Sequence, residues 1–177
     1  MPGAIAKPGV EDDNEGMPGA LLILVLALAA PLFARASEGW FGLAPCELCL
    51  WQRWPYWFAA GFALIAALVA RRPVLRKWAL RLAGLAAAAS AVVAAFHMGV
   101  EFGWWPSPLP GCQAPSAGAG ASIDDLLASL SAVPNKPCDQ ATFLIPGLPL
   151  SMAGMNLIYG LGLAALAWTF ARKELRA

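Results

Sequence analysis

Two cysteines separated by two residues, Cys46 and Cys49, lie in the run Pro45-Cys46-Glu47-Leu48-Cys49-Leu50-Trp51-Gln52-Arg53-Trp54, at the mouth of a long apolar segment. This spacing closes a small, readily reducible disulfide. A helix beginning near Cys46 would aim its unsatisfied N–H groups at the sulfurs and favour thiolate. Arg53 follows Cys49 by four residues, so on a continuous helix it lies one turn deeper on the same face. A permanent cation is expensive in lipid, and its partner has to be an anion or a polar ligand.

Cys112 and Cys138 complete an even set of four cysteines. Only an oxidising compartment lets such a set persist as disulfides. Three explanations stand: two structural disulfides, a four-thiolate metal site, or a dithiol relay. A structural zinc site usually contributes two closely spaced pairs, whereas a long Gly/Ala/Pro-containing stretch separates Cys112 from Cys138, and no metal is expected. Structural staples account for Cys112 and Cys138 but not for a C-x-x-C with Arg53 below it.

The elements that must position these residues are apolar. Of 177 residues, 59% are hydrophobic and 13% charged, the signature of an integral membrane protein. A formal charge of +1 without a clustered basic groove argues against nucleic acid.

Apolar runs of spanning length place transmembrane helices at about 17–36, 49–70, 78–100 and 150–171. Residues 1–16 form an acidic tail expected to be disordered, and 172–177 a basic tail. Ala34-Arg35-Ala36 has the form of a signal-peptidase site, but the preceding tail lacks a basic n-region, so the first span is expected to be retained. Arg71, Arg72, Arg76, Lys77 and Arg81 surround the turn at Pro73, and Arg172, Lys173 and Arg176 follow the last span. The positive-inside rule then puts both of those ends and the N-terminus in the cytoplasm, and the cysteine-bearing loops, about 37–48 and 101–149, outside it. Within the longer loop, Ser122 caps an expected short amphipathic helix with Ile123, Leu126, Leu127 and Leu130 on one face.

His97, the only histidine, lies near the outer end of the third span, with Glu101 four residues on along the same face. An interfacial hydrogen-bonded histidine and a proton-handling one are both open readings. Met152 and Asn156 read as helix packing.

The stretch C-E-L-C-L-W-Q-R resembles the C-x-x-C-x-x-Q-R signature of the disulfide bond formation protein B (DsbB) family, quinone reductases of bacterial inner membranes. Phe96-His97-Met98-Gly99-Val100-Glu101, Trp105-Pro106-Ser107-Pro108, Pro137-Cys138-Asp139 and Leu150-Ser151-Met152-Ala153 before Asn156 extend the likeness over nearly the whole chain. The acidic tail and the run Pro146-Gly147-Leu148-Pro149-Leu150 depart from it without touching the chemistry.

The resemblance implies an all-α four-helix bundle acting as a thiol–quinone oxidoreductase. A reduced periplasmic DsbA-like partner would attack Cys112 of a Cys112–Cys138 disulfide. Cys138 would then exchange with Cys46, and Cys49 would emerge as the thiolate facing ubiquinone or menaquinone. Such a relay keeps the periplasm oxidising. Arg53 would hold a quinone oxygen, and Gln52, His97 and Glu101 join Cys49 as expected cofactor-site residues. Vitamin K epoxide reductase-like proteins share the chemistry but carry the C-x-x-C on a later helix, after the other cysteines. A membrane scaffold with four inert cysteines is the rival from another class.

Overall fold

The computed structural model describes residues 16–69, 71–112, 136–145 and 147–173. The expected disordered tail before Gly16, the expected amphipathic helix after Ser122 and the residues beyond Lys173 lie outside the described residues. The described chain is helical without a strand: α1 (Gly16–Phe41), α2 (Glu47–Trp51), α3 (Trp54–Leu68), α4 (Pro73–Glu101), a 3₁₀ turn at Pro110–Cys112, and α5 (Met152–Lys173).

Among the described residues, three helices, α1, α4 and α5, are long and apolar enough to cross a membrane. α3 has 15 residues and a length of about 22 Å at 1.5 Å per residue, below the roughly 30 Å of a hydrocarbon core.

The packing is small inside and large outside. Ala27, Ala59, Ala63, Ala66, Ala87, Ala164 and Ala167 are buried, whereas Val25, Leu32, Phe33, Phe58, Leu68, Leu85, Val92 and Ile158 are exposed. A water-soluble bundle would do the opposite; small residues at helix contacts and large apolar ones outward suit lipid. α4 and α5 share the most extensive contact. They run antiparallel: the Trp168 indole N–H donates to the Arg81 carbonyl at 3.2 Å near one end, and Ser151 Oγ donates to Glu101 Oε2 at 2.6 Å at the other. At mid-crossing Gly160 lets the helices close, since a Cβ there would sit 3.1 Å from the Ala87 carbonyl oxygen and 3.1 Å from Ala91 Cβ. Gly19 against the Phe170 ring brings the start of α1 to the end of α5. The α3–α4 turn with Arg71 and Arg72, the Arg172-Lys173 end and the start of α1 therefore share the end of the bundle opposite the cysteines.

Three helix boundaries differ clearly from the sequence expectation, each for a local reason: α4 begins at Pro73 rather than about 78, because proline is tolerated in a first turn. α1 continues past residue 36 to Phe41 because no proline intervenes and Gly39 keeps a helical backbone, until Gly42, whose φ of +64° is the left-handed conformation that ends helices. Ser37 and Glu38 thus stand on a helix. The expected span 49–70 is interrupted between α2 and α3 at Gln52 and Arg53. Pro55 has no N–H to return to the Trp51 carbonyl, and the Tyr56 N–H bonds to the Arg53 carbonyl at 3.2 Å rather than to that of Gln52. The Gln52 carbonyl is taken instead by Ser90 Oγ of α4, donating at 2.7 Å. Ser151 caps α5: its hydroxyl accepts the Gly154 N–H at 3.1 Å while donating to Glu101.

Candidate functional site

The four cysteines converge at one end of the bundle. Cys112 and Cys138 form a disulfide, and Cys46 and Cys49 are free thiols. Cys46, Cys112 and Cys138 are buried together with Leu48 and Val100. The Cys46 and Cys138 sulfurs and a ring nitrogen of His97 all lie within 4.8 Å of one another. In a disulfide, Cys138 offers no thiolate to a metal ion, and the shared geometry is one of sulfur beside sulfur.

Cys46 stands just ahead of α2 as its N-cap, its sulfur accepting the Cys49 N–H at 3.1 Å. The two thiols of this pair, both ahead of α3, are pushed apart in acidity. Cys49 is drawn below the usual thiol range by the hydrogen bond from the Cys46 thiol, against burial, with the Cys46 backbone and the Arg53 charge adding to the effect. Cys46 is pushed well above that range, first by holding that bond to Cys49 and then by burial. The first proton therefore leaves Cys49, and Cys46 keeps its own as donor to the resulting thiolate.

Cys49 opens on a cavity of about 440 Å³ between α1, α3 and α5. Ala29, Ala30, Pro31, Phe33, Met152 and Met155 make its apolar walls, and Gln52, Arg53, Tyr56 and Asn156 supply polar groups. Arg53 forms an ion pair with Glu38, which also lines the cavity. The partner that the half-buried cation demanded is thus a carboxylate of the neighbouring helix. His97 and Glu101 do not line this cavity.

His97 is 2% exposed and lies between the sulfur cluster and the polar wall. Its Nδ1 is 2.8 Å from Gln52 Nε2; its Nε2 is 3.2 Å from the Cys138 carbonyl oxygen and 3.5 Å from Cys46 Sγ. Glu101 Oε1 is 3.9 Å from the same nitrogen, and the other Glu101 oxygen is held by Ser151. From Gln52 the bonding continues across the bundle: Asn156 Nδ2 donates to Gln52 Oε1 at 2.7 Å and to Ser90 Oγ at 3.2 Å, and Tyr56 Oη donates to Asn156 Oδ1 at 2.7 Å.

Glu38, Tyr56, Ser90 and Asn156 are the residues that sequence reasoning passed over. Asn156 read as packing. The available signals were an acid between the first span and the C-x-x-C, and polar residues inside spans, which are costly without partners.

The profile of one protein family, Disulfide bond formation protein DsbB, matches residues 18–170. Proteins named Disulfide bond formation protein B from Psychrobacter cryohalolentis and Psychrobacter arcticus are each 33% identical over 100 residues, 56% of this chain and 53% of theirs. The chain thus matches about half the length of these relatives. One of the same name from Acinetobacter baumannii is 30% identical over 158 residues, 87% of this chain and 76% of its own. No solved structure matches.

Proposed function

The chain belongs to the DsbB family of disulfide-forming membrane proteins, and from that premise we propose that it reoxidises a periplasmic DsbA-like dithiol protein and passes the two electrons to membrane quinone. The observation that carries this reading is the adjacency of the Cys46 and Cys138 sulfurs, with Cys49 facing the cavity on the far side of the pair.

The steps balance as thiol–disulfide exchange. A partner thiolate attacks Cys112; the Cys112–Cys138 bond breaks and its electron pair leaves on Cys138. Cys138 attacks Cys46 of a Cys46–Cys49 disulfide; the new bond joins Cys46 to Cys138, and the pair leaves on Cys49. Cys49 suits that departure because the nearby Arg53 cation favours the thiolate left on it. The second partner thiol releases Cys112, and Cys112 reclaims Cys138 as Cys46 is released. Both electrons then rest on Cys46 and Cys49 as one thiol and one thiolate.

The cavity suits a quinone ring. Its volume and apolar walls match a flat aromatic head, and Arg53 and the remaining N–H of the Gln52 amide bring donors, while the Tyr56 hydroxyl and Asn156 amide are engaged within the wall. Bound there, a quinone supplies a two-electron, two-proton acceptor. Arg53 would hold a ring oxygen as negative charge develops, and Cys49, which lines the cavity, would supply the thiolate. His97 and Glu101, expected at this ligand, stand behind the polar wall.

In topology, α3 carries the remaining crossing of a four-span protein of the bacterial inner membrane, with α2 and the cysteine pair at its periplasmic mouth. Both termini lie in the cytoplasm and the cysteines on the periplasmic side, in keeping with Arg71, Arg72, Arg172 and Lys173 at the opposite end.

The test is an anaerobic assay of the purified protein with a reduced thioredoxin-like dithiol protein and either a ubiquinone or a menaquinone analogue. Quinone absorbance should fall in step with loss of partner thiols, one quinone per dithiol. Cysteines that do not turn over, as in a scaffold with inert staples, would defeat the reading.

A further inference from the structure

His97 is buried, holds contacts to both cysteine pairs and is absent from the cavity wall. Its ring proton can be placed from its neighbours. A carbonyl oxygen only accepts, so the 3.2 Å contact to the Cys138 carbonyl requires a proton on Nε2. The other acceptors around that nitrogen, Cys46 Sγ at 3.5 Å and Glu101 Oε1 at 3.9 Å, agree. Nδ1 is then a bare lone pair and needs a donor, which the Gln52 amide nitrogen supplies at 2.8 Å. That amide has one orientation available, because its oxygen accepts from Asn156 Nδ2, which also donates to Ser90 Oγ, a hydroxyl already committed as donor to the Gln52 backbone carbonyl. The tautomer is fixed independently from both sides.

We propose that His97 is a positioning residue for sulfur exchange between the two cysteine pairs, its Nε2–H clamping the Cys138 backbone beside Cys46. This rests on the reading that Cys138 and Cys46 exchange. The clamp acts on the loop that brings the second pair in. Cys138 arrives at the end of a long connection, and its tether to α4 here is a bond from its carbonyl to a histidine on that helix. Exchange needs the attacking sulfur in line with the S–S bond, so a sulfur held within 4.8 Å needs only a small displacement to react. The same N–H faces Cys46 Sγ beside the Cys49 N–H, so two donors fix the orientation of the sulfur that Cys138 must reach.

Two measurements test this, neither of which needs a quinone. Because the chain has a single histidine, selective ¹⁵N-histidine labelling gives an unambiguous ring spectrum. A proton on Nε2 is expected in the intact protein, and a proton on Nδ1 would overturn the clamp. In a Cys49→Ser, Cys112→Ser background only Cys46 and Cys138 remain, and diamide, a thiol oxidant, should cross-link them rapidly. His97→Leu should slow that cross-link tenfold or more, and His97→Gln, whose amide N–H reaches the same side, should restore most of the rate. Equal rates in all three backgrounds would overturn the proposal. If neither His97 variant folds, the tautomer of the unaltered chain decides. A His97-dependent cross-link in a protein that reduces no quinone would defeat the proposed function and leave the clamp standing. Quinone reduction with a His97-independent cross-link would do the reverse.

Discussion

Arg53 and Glu38, fifteen residues apart in the chain, form an ion pair on the wall of the cavity that the Cys49 thiol lines. The pair explains how a guanidinium is held at the start of α3. It also means that a ligand oxygen reaching Arg53 shares it with a resident carboxylate.

Charge and function separate at this pair. Arg53→Ala should weaken quinone use and also destabilise the protein by about 1–3 kcal/mol, between the values for exposed and buried pairs, because Glu38 loses its counter-charge. Adding Glu38→Ala should recover stability without recovering activity. Arg53→Lys should keep part of the function, since an ammonium keeps the charge but loses the planar fork. Thermal unfolding in detergent, set beside apparent quinone affinity and turnover, reads both effects; unchanged affinity and turnover in Arg53→Ala would make it a mere anchoring residue.

The two pairs should divide their labour. Cys112→Ser is expected to abolish capture of the reduced protein partner while leaving Cys46 and Cys49 reducible by dithiothreitol. Cys49→Ser is expected to stop quinone reduction with either donor. Turnover surviving in Cys49→Ser would remove that sulfur from the electron path.

Orientation is checked on whole cells. After reduction, a membrane-impermeant thiol reagent added to intact spheroplasts should modify the cysteines. Protection of all of them until lysis would invert the topology, placing Arg71 and Arg72 outside.

The split in thiol acidity sets a pH dependence. Cys49, lowered in the folded protein, remains thiolate as the pH falls below the ordinary thiol value of about 8.5. Iodoacetamide should therefore modify Cys49 in the reduced protein at neutral pH, losing rate only as the pH drops through the shifted value. Cys46, raised, should stay unmodified over that range. The linked stability has a definite sign: the unfolded chain binds the extra Cys49 proton between the two values, so the reduced protein gains stability as pH rises across that window and loses it as pH falls. Mass spectrometry of alkylated peptides and thermal unfolding against pH check the two statements.

Gly160 should tolerate no side chain larger than methyl. Its missing Cβ faces the Ala87 carbonyl and, at 3.2 Å, the Tyr56 hydroxyl, so Gly160→Leu would wedge α5 from α4 and pull Asn156 from Tyr56. Overpacking of this kind costs about 1–3 kcal/mol. The unfolding midpoint should fall accordingly, with Gly162→Leu, where a Cβ meets nothing within 4 Å, as the neutral control.

The cysteines and Arg53 were legible because their residue types announce chemistry, and the long helices because apolar runs announce lipid. Helix ends were less legible. Nothing in Ser37-Glu38 says that α1 continues, and the break before α3 depends on Ser90 accepting a duty from a different helix. The polar wall was illegible for the same reason. Asn156 meets Gln52 across 104 residues and Tyr56 across 100, and spacing along the chain carries no information about which faces of separate helices will meet.

Ser90 sits fully buried in the middle of the 29-residue α4. A lone helix entering the bilayer would carry that hydroxyl into hydrocarbon, as α5 would carry Asn156, each without its partner. Both become satisfied only when α3, α4 and α5 meet in one register, where the Gln52 carbonyl, the Ser90 hydroxyl and the Asn156 amide lie at one depth. A bundle slipped by a turn along the α4–α5 contact would bury the same alanines almost as well but strand these groups in lipid. The polar residues on the cysteine side of the bundle thereby select the assembly register, and the sulfur relay inherits its alignment from that choice.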